Sequence, residues 1–343
     1  MNRPTQVDVA RLAGVSHATV SYVLNGHTGG RVPISDETQR RVWDAIEKLG
    51  YEPDARAQAL RLGNTKTIAL IIPDLRNPHF CEYATGIEEA ARQAGYHILL
   101  SSTTLNDEYA VEIFKDLARR RFDGLILVSS FILESNEAKT TLARIRKRGL
   151  PIVELSEYYG IDSVSADYRQ ATKEVMSYLL SLGHRRVGLI YGVGGNELAE
   201  DRLKPYRASL ESAGIPVDED LIMNCGPTIE DGHQAAIKLL ELTPRPTAIL
   251  AINDLLAMGA LRAAADLGLD VPDDLSLVGY DNIPMANFFV PRLTSVTKDA
   301  YELGKKAFEV LFARIQNPHL PPQHIQSLAR LVIRESTGPA PSQ

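Results

Sequence analysis

The chain has 343 residues, of which 44% are hydrophobic and 23% are charged, as in ordinary globular proteins. This length exceeds the usual size of one hydrophobic core, so we expect more than one domain. No apolar run approaches the roughly 20 residues of a membrane-spanning helix, and residues 1–6 lack an apolar signal segment. Cys81 and Cys225 lie far apart and outside any metal-binding spacing. We therefore expect a cytoplasmic protein with no metal, no cofactor and no membrane partner.

The net charge of −6 is unevenly distributed along the chain. Residues 1–64 contain eight Lys and Arg against seven Asp and Glu, which gives this segment +1 and leaves −7 for the remainder. A slightly basic head on an acidic body is compatible with binding to nucleic acid, but it does not by itself favour that function.

The first 25 residues predict two short helices joined by a tight turn. Thr5 can cap the first helix, Gly14 favours its end, and Ser16 can cap a second helix that runs to about Leu24. The small residue Ala10, the glycine four residues later and the apolar residues at helical spacing match a helix-turn-helix, because the two helices must cross closely. An ordinary helical hairpin within a larger core is the alternative.

A third helix, Asp36–Leu49, is predicted after the N-cap residue Ser35, and it would close a small three-helix core. The outer face of the second helix is short, polar and nearly uncharged, so its groups can reach base edges and phosphates. This face favours DNA binding over the hairpin alternative. It comprises His17, Ala18, Thr19, Ser21, Tyr22 and Asn25.

Beyond residue 66, apolar strands alternate with amphipathic helices. This rhythm predicts an α/β body with two parallel, doubly wound sheets, and ligands of such sheets bind at the carboxyl ends of the strands. The predicted strands are residues 68–72, 98–100, 124–128, 151–155, 187–191, 248–252 and 275–279, and the series restarts after residues 164–167. The predicted helices are about 80–94, 107–120 and one that runs through Leu180.

Several segments of this sequence closely resemble the LacI/GalR family of bacterial transcriptional repressors. They are Asp8–Ala10, Ala13–Ser16, Ala18–Ser21, Val23–Gly26 and Leu49–Pro53, and the resemblance extends over nearly the whole chain. It implies an α/β, two-lobed body like that of periplasmic sugar-binding proteins, preceded by a small all-α helix-turn-helix domain.

The resemblance also implies domain boundaries. A DNA-binding domain would span 1–50, a hinge helix or linker 51–65, and an effector-binding and dimerisation body 66–338. Within the body, the amino lobe would take about 66–165 with 296–328, and the carboxyl lobe about 166–295 with 329–338.

For the DNA contacts, the resemblance implies a linker that becomes helical on operator DNA and inserts Leu60 into the minor groove, with Ala57 and Gln58 beside it. A flexible tether between domains is the alternative. Tyr22 stands where many relatives carry an arginine that contacts guanine, and tyrosine cannot make that bidentate contact, so the operator sequence cannot be transferred. The DNA-binding candidates are Thr5, Ser16, His17, Ala18, Thr19, Ser21, Tyr22, Asn25, Arg31, Ser35, Ala57, Gln58 and Leu60.

For the effector, the resemblance implies a site between the lobes for a sugar or related metabolite. Carboxylates accept hydrogen bonds from hydroxyl groups, arginine donates them, and an aromatic ring covers the apolar face of a sugar. Helix capping or salt bridging between lobes is the alternative for Arg202, Asn253 and Asp281. The effector-binding candidates are Asn77, His79, Phe80, Ser156, Arg202, Asn253 and Asp281.

Two other functional classes fit less well. A dinucleotide-dependent enzyme needs a glycine-rich turn after the first strand, and residues 73–78 contain no glycine. A transport-type binding protein would need an export signal and no helix-turn-helix. We therefore expect a non-enzymatic repressor that acts as a homodimer on a near-palindromic operator. Residues 335–343 are expected to form a flexible tail without the leucine heptads of a tetramer-forming bundle.

Overall fold

The computed structural model describes residues 4–25, 33–52, 64–119, 122–128, 135–156, 161–192 and 196–342, with the backbone alone for residues 107 and 196–201. The chain divides into two compact units, Met1–Thr65 and Lys66–Gln343. The predicted linker residues Ala57, Gln58 and Leu60 lie outside the described residues, as does Arg31.

The first unit contains the three predicted helices: α1 (Gln6–Ala13), α2 (His17–Leu24) and α3 (Asp36–Leu49). The turn between α1 and α2 passes through Gly14 at φ 64°, a left-handed conformation that costs glycine little. Arg41 donates hydrogen bonds from α3 to two carbonyl oxygens of this turn. The buried core consists of Val9, Ala10, Ala13, Val20, Val23, Val42, Ala45 and Tyr51.

The second unit alternates strands and helices, as predicted. Its strands are β1 (Thr67–Ile72), β2 (His97–Ser102), β3 (Gly124–Val128), β4 (Ile152–Leu155), β5 (Asp162–Asp167), β6 (Val187–Tyr191), β7 (Ile222–Asn224), β8 (Ala248–Ala251), β9 (Ser276–Tyr280), β10 (Thr294–Thr297), β11 (His324–Leu328) and β12 (Arg330–Val332). Its helices are α4 (Pro78–Gln93), α5 (Asp107–Arg119), α6 (Asn136–Lys147), α7 (Tyr168–Ser181), α8 (Asn196–Ser212), α9 (Ile229–Leu240), α10 (Asp254–Asp266) and α11 (Ala300–Gln316).

The strands form two six-stranded sheets, each the centre of one lobe. The first lobe has the order β11-β5-β4-β3-β1-β2, and the second has β12-β10-β9-β8-β6-β7. All neighbouring strands run parallel except β12, which pairs antiparallel with β10 at the edge of the second sheet. The chain passes between the sheets after β5, after β10 and after β11, so three segments connect the lobes.

Two helices of the first lobe, α4 and α11, pack closely because each carries a glycine at the contact. A Cβ atom on Gly86 would lie 2.0 Å from the Tyr301 carbonyl oxygen, and one on Gly304 would lie 2.4 Å from the Tyr83 carbonyl oxygen. A side chain at either position would therefore force the helices apart. This close approach fixes the first turns of α4 relative to the segment that leads into α11.

The expectation of a flexible tail is wrong for residues 335–340. Ser336 is fully buried, and its hydroxyl donates to the Leu277 carbonyl at 2.6 Å and accepts from the Thr294 N–H at 2.8 Å. The Gly338 carbonyl accepts from His184 Nε2 at 3.0 Å. The tail thus completes the second lobe, because hydrogen bonds of its backbone and side chains replace those that further strands would make.

Within the described residues, no helix combines the length and apolar character needed to cross a membrane.

Replacing Ser336 with alanine should destabilise the second unit by about 1–3 kcal/mol, because the buried Thr294 N–H loses its partner. We expect a lower midpoint in thermal unfolding followed by circular dichroism. Ser342→Ala, at an exposed position near the chain end, is the matched control. Equal midpoints for the two variants would contradict a structural role for the tail.

Candidate functional site

The outer face of α2 presents the side chains predicted to contact DNA. His17, Ala18 and Tyr22 are exposed, and 54% of the Tyr22 surface is accessible. Thr19 and Ser21 are half-buried at the edges of this face. Small and uncharged groups surround one large hydrogen-bonding ring, a surface that can enter a DNA groove without charge repulsion or steric hindrance.

Each of the three described helices of the first unit begins at an exposed residue whose hydroxyl accepts the backbone N–H of the residue three positions later. The distances are 3.4 Å for Thr5, 3.1 Å for Ser16 and 3.3 Å for Ser35. The remaining N–H groups of a helix N-terminus, together with its positive dipole end, attract phosphate. The three predicted cap residues therefore lie where contacts to the DNA backbone are favourable.

Asn25 is the C-cap of α2 and is half-buried. Its side-chain amide donates to the Ser21 carbonyl oxygen. The structure thus shows a capping role for Asn25, and its DNA contact stays a prediction.

In the second unit, polar and aromatic side chains from both lobes gather at the carboxyl ends of the strands. We call this group the inter-lobe cluster; it consists of His79, Tyr83, Tyr168, Arg202, Tyr280, Asp281 and Lys298. The His79 Nε2 atom, in the first turn of α4, lies 3.5 Å from the Asp281 Oδ1 atom, which follows β9. The two lobes therefore meet at this contact, where parallel sheets bind their ligands.

His79 is held by the local structure at the start of α4. Asn77 caps the helix, its side-chain oxygen accepting the His79 backbone N–H at 3.0 Å. The rings of Phe80 and Tyr83 flank the imidazole at centroid distances of 5.3 and 5.0 Å. Burial, with the positive charges of the cluster, holds the pKa of His79 well below its usual value, so the ring is neutral at pH 7.

Arg202 projects from α8 onto tyrosine rings. Its guanidinium carbon lies 4.0 Å from the ring centroid of Tyr168 and 5.8 Å from that of Tyr280, distances typical of cation–π contacts. The Tyr280 hydroxyl in turn shares a hydrogen bond of 2.7 Å with Thr172. The guanidinium is thus oriented by aromatic rings, and the whole residue is only 8% exposed.

Asp281 and Asn282 have the positive φ angles 93° and 51°, which are rare outside glycine and concentrate at functional sites. Hydrogen bonds to β10 hold this backbone: the Asp281 N–H donates to the Val296 carbonyl at 2.9 Å, and the Asn282 N–H donates to the Ser295 hydroxyl at 3.1 Å. Burial raises the pKa of Asp281 to about 7, against the opposing effect of Arg202.

Asp254, the first residue of α10, stabilises the loop that carries Asp281 and Asn282. Its two oxygens accept hydrogen bonds from the Ser295 hydroxyl at 2.6 Å and from the Ile283 N–H at 2.8 Å. Burial raises its pKa well above the usual value. Asp254 is thus a positioning residue for the segment that carries Asp281.

Lys298 follows β10 and is partly exposed. Its ammonium nitrogen lies 4.6 Å from the ring centroid of Tyr168 and 5.3 Å from that of Tyr83. Burial lowers the pKa of Lys298 to about 7. The cluster therefore contains a second cation close to the arginine.

Some predicted effector residues have local partners. Asn253 caps α10, with its side-chain oxygen accepting the Leu256 N–H at 2.8 Å, and is 4% exposed. The Ser156 hydroxyl donates at 2.8 Å to Glu154, a buried carboxyl whose pKa burial raises to about 7. Capping, the alternative considered for Asn253, is what the structure shows. The ligand contacts of all seven effector-binding candidates stay predictions.

Four members of the cluster were not among the sequence candidates: Tyr83, Tyr168, Tyr280 and Lys298. Tyr168, Tyr280 and Lys298 lie at or directly after the ends of β5, β9 and β10. The ends of predicted strands could have indicated such residues, but β10 was not predicted as a strand. Tyr83 lies one helical turn after His79, and its inward direction depends on the packing of α4.

Among the described residues, no three His, Cys, Asp or Glu side chains come together as a metal site. The cluster combines charged and hydrogen-bonding groups with aromatic surface, a combination that can bind a small polar ligand.

Comparison with known proteins identifies both units. Residues 5–54 match the family described as bacterial regulatory proteins, lacI family. Residues 176–337 match the periplasmic binding protein-like domain. The match to the regulatory family covers the three helices, and the other match covers most of the second lobe.

Relatives and solved structures match over most of their lengths. The chain is 36% identical to the HTH-type transcriptional regulator DegA of Bacillus subtilis (strain 168), covering 98% of this chain and 99% of that protein. The crystal structure of the lac repressor dimer bound to operator and the anti-inducer ONPF has a TM-score of 0.86 at 27% identity, covering 98% of this chain and 100% of that one. A LacI family regulator from Enterococcus faecium with bound ribose has a TM-score of 0.70 at 28% identity, covering 80% and 99%.

The chain belongs to the lacI family of bacterial regulatory proteins. Its class is that of a DNA-binding transcriptional regulator with a helix-turn-helix unit and a periplasmic-binding-protein-like body.

Replacing Asp281 with asparagine should flatten the pH dependence of stability. The pKa of Asp281 is about 7 in the folded protein and near 3.8 in the unfolded chain, so folding strengthens proton binding. The resulting stabilisation is fully present below pH 3.8 and is lost as the pH rises to 7. The free energy of unfolding, measured in urea, should fall across this range more for the wild type than for D281N. Asp273→Asn, at an exposed position, is the control, and parallel curves for wild type and D281N would refute the buried proton.

Proposed function

We propose that this regulator is a repressor whose affinity for operator DNA is controlled by a small effector bound at the inter-lobe cluster. One observation carries the proposal: a polar, exposed recognition face on α2 occurs in the same chain as a polar and aromatic cluster shared by two lobes. A protein that only bound DNA would have no need for the second feature.

The DNA half of the proposal rests on α2. Its exposed side chains would enter the major groove, while the capped N-termini of the three helices would contact phosphates. We propose repression rather than activation because a protein bound at an operator blocks polymerase. The lac repressor, which shares this fold, is bound to its operator as a dimer. For the present chain we propose a homodimer on a near-palindromic site, which would place two copies of α2 about one helical turn of DNA apart.

The effector half rests on the chemistry of the cluster. Arg202 can donate hydrogen bonds to oxygen atoms, Asp281 can accept them from hydroxyl groups, and the tyrosine rings offer apolar faces. This combination suits a carbohydrate or a related metabolite. A similar regulator holds ribose.

The two halves would be coupled by a population shift. The three segments that connect the lobes allow a change in the angle between them, and an effector that binds one angle more tightly stabilises it. The linker over residues 51–65 would transmit this change to the helix-turn-helix, with Leu60 as the proposed minor-groove wedge. We propose the domain boundaries 1–50, 51–65 and 66–338 on this basis.

We also propose that the protein acts in the cytoplasm and catalyses no reaction. Its proposed target is DNA, and among the described residues of the cluster no nucleophile lies within hydrogen-bonding reach of a general base.

Replacing Tyr22 with alanine should weaken specific DNA binding about fivefold or more, because a single contact to a base edge contributes on the order of 1 kcal/mol. The operator is first obtained by selecting bound duplexes from a random library. Affinity is then measured by fluorescence anisotropy at fixed salt. Tyr109→Ala removes a tyrosine of nearly equal exposure, 55%, from the second unit and should have no effect. Unchanged affinity of the Tyr22 variant would exclude the α2 face as the recognition surface.

Effector and operator should affect each other by the same factor. If an inducer lowers operator affinity tenfold, bound operator must lower inducer affinity tenfold, because the two equilibria share one cycle. Calorimetric titration of the effector with and without operator, beside anisotropy with and without effector, tests this. An effector that binds equally well in both cases would end the allosteric proposal.

A further inference from the structure

The inter-lobe cluster contains more positive than negative side chains. Arg202 and Lys298 both lie against the ring of Tyr168, at 4.0 and 4.6 Å from the same centroid. The two cationic atoms are therefore no further apart than the sum of these distances. Asp281 is the one carboxylate of the cluster, and it lies 3.5 Å from the neutral His79.

Lys298 forms no hydrogen bond and no ion pair with another described residue. Its contacts are the rings of Tyr83 and Tyr168, at 5.3 and 4.6 Å. The residue as a whole is half-buried, and its ammonium lies beside these two rings. A lysine that only filled the core would bury its chain and extend the ammonium to an acidic partner or to bulk solvent.

The nearby carboxylates are engaged elsewhere. Asp281 contacts His79, and it also interacts electrostatically with Arg202, whose positive charge favours the ionised carboxylate. Asp254 accepts hydrogen bonds from Ser295 and Ile283. Asp299, next in sequence to Lys298, caps α11 by accepting the Glu302 N–H at 3.4 Å. No carboxylate in this part of the described chain offsets the burial that lowers the pKa of Lys298 to about 7.

We propose that the effector is an anion, a carboxylate or phosphate derivative of a small polar metabolite, and that its negative group forms an ion pair with Lys298 beside Arg202. The proposal rests on the proposed function and specifies the chemical class of its effector. A negative group would relieve the repulsion between the two cations and replace the water lost by the ammonium. The hydroxyl groups of the same ligand would remain for Asp281.

An anion bound beside Lys298 should change the protonation of this residue. The free site holds Lys298 only partly protonated near pH 7, whereas an anion bound beside it favours the charged form. Binding of an anion should therefore take up a fraction of a proton. The groups that face Lys298 are His79, Tyr83 and Tyr168, together with the charges of Arg202 and Asp281, and Asp281 titrates in the same range.

Three probes with one carbon skeleton test the proposal: ribose, ribonate and ribose 5-phosphate. They are added to the full-length protein at pH 6.5 and constant ionic strength, and thermal shifts and calorimetric affinities are measured. We expect ribonate or ribose 5-phosphate to bind at least tenfold more tightly than ribose. The two charged probes distinguish a carboxylate-specific from a phosphate-specific site.

The variant Lys298→Met retains most of the aliphatic length without the charge. It should weaken the favoured charged probe at least tenfold more than it weakens ribose, whereas Lys298→Arg should keep most of the affinity. Lys306→Met, which removes a surface lysine paired with Glu309, is the matched control. For ribonate, raising the pH from 6.5 to 8.5 should weaken binding to the wild type, and the heat of binding should vary with the ionisation enthalpy of the buffer. Both dependences should be smaller in Lys298→Met.

The proposal is overturned if ribose binds as tightly as the charged probes, if no charged probe binds, or if Lys298→Met binds the charged probe like the wild type. These failures are distinct from failure of the proposed function. A charged ligand that binds through Lys298 but leaves operator affinity unchanged refutes allosteric repression and leaves the anion site standing. If a neutral sugar alone controls operator binding, the anion site is refuted and allosteric repression stands.

Discussion

The structure of the second unit depends on one constraint: two separate sheets direct the carboxyl ends of their strands toward the same region. The contact between His79 and Asp281 spans the two lobes at that region. Because three segments of the chain cross between the sheets, neither lobe is a continuous stretch of sequence. Residues distant in sequence therefore share one site, and movement of one lobe against the other changes that site directly.

The sequence predicted those features that local physics determines. The three helices of the first unit have the predicted bounds, because each is defined by an N-cap hydroxyl and the first and third also end at a glycine, at Gly14 and Gly50. The buried central strands were also predicted. Short continuous apolar runs such as 124–128 are typical of parallel strands that are buried on both faces. Arg202 and Asp281 were predicted through family resemblance and strand ends, and both lie in the cluster.

The remainder depended on tertiary packing that no local pattern encodes. The strand β10, Thr294–Thr297, is rich in threonine and serine, so it lacked the apolar signature of its neighbours, and Lys298 was missed with it. The tail looked flexible because Gly338 and two prolines break any periodicity. Its order comes from single hydrogen bonds, such as that of Ser336 with Thr294, which involve residues about forty positions apart. Asn253, a predicted effector-binding residue, also caps α10, and its ligand contact stays a prediction.

The inter-lobe cluster brings together groups whose burial is costly for folding. It contains a neutral histidine, a carboxyl with a raised pKa and an amine with a lowered pKa, each shifted mainly by burial. Positive φ angles at Asp281 and Asn282 add backbone strain. Surrounding groups such as Asp254 and the glycine-mediated contact of α4 with α11 hold these residues in place. Ligand binding can then recover part of that cost, which is how affinity and selectivity arise together.

The position of the tail within the second lobe has a consequence for synthesis of the protein. During translation, residues 6–49 emerge well before residues 330–338, and until those later residues emerge the sheet of the second lobe lacks β12 and the Ser336 hydrogen bonds. A prematurely terminated chain would contain the complete helix-turn-helix joined to an incomplete second lobe. Such a fragment would keep the helices of the first unit but would lack the groups that hold the second lobe together, so the inter-lobe cluster would form only in longer chains.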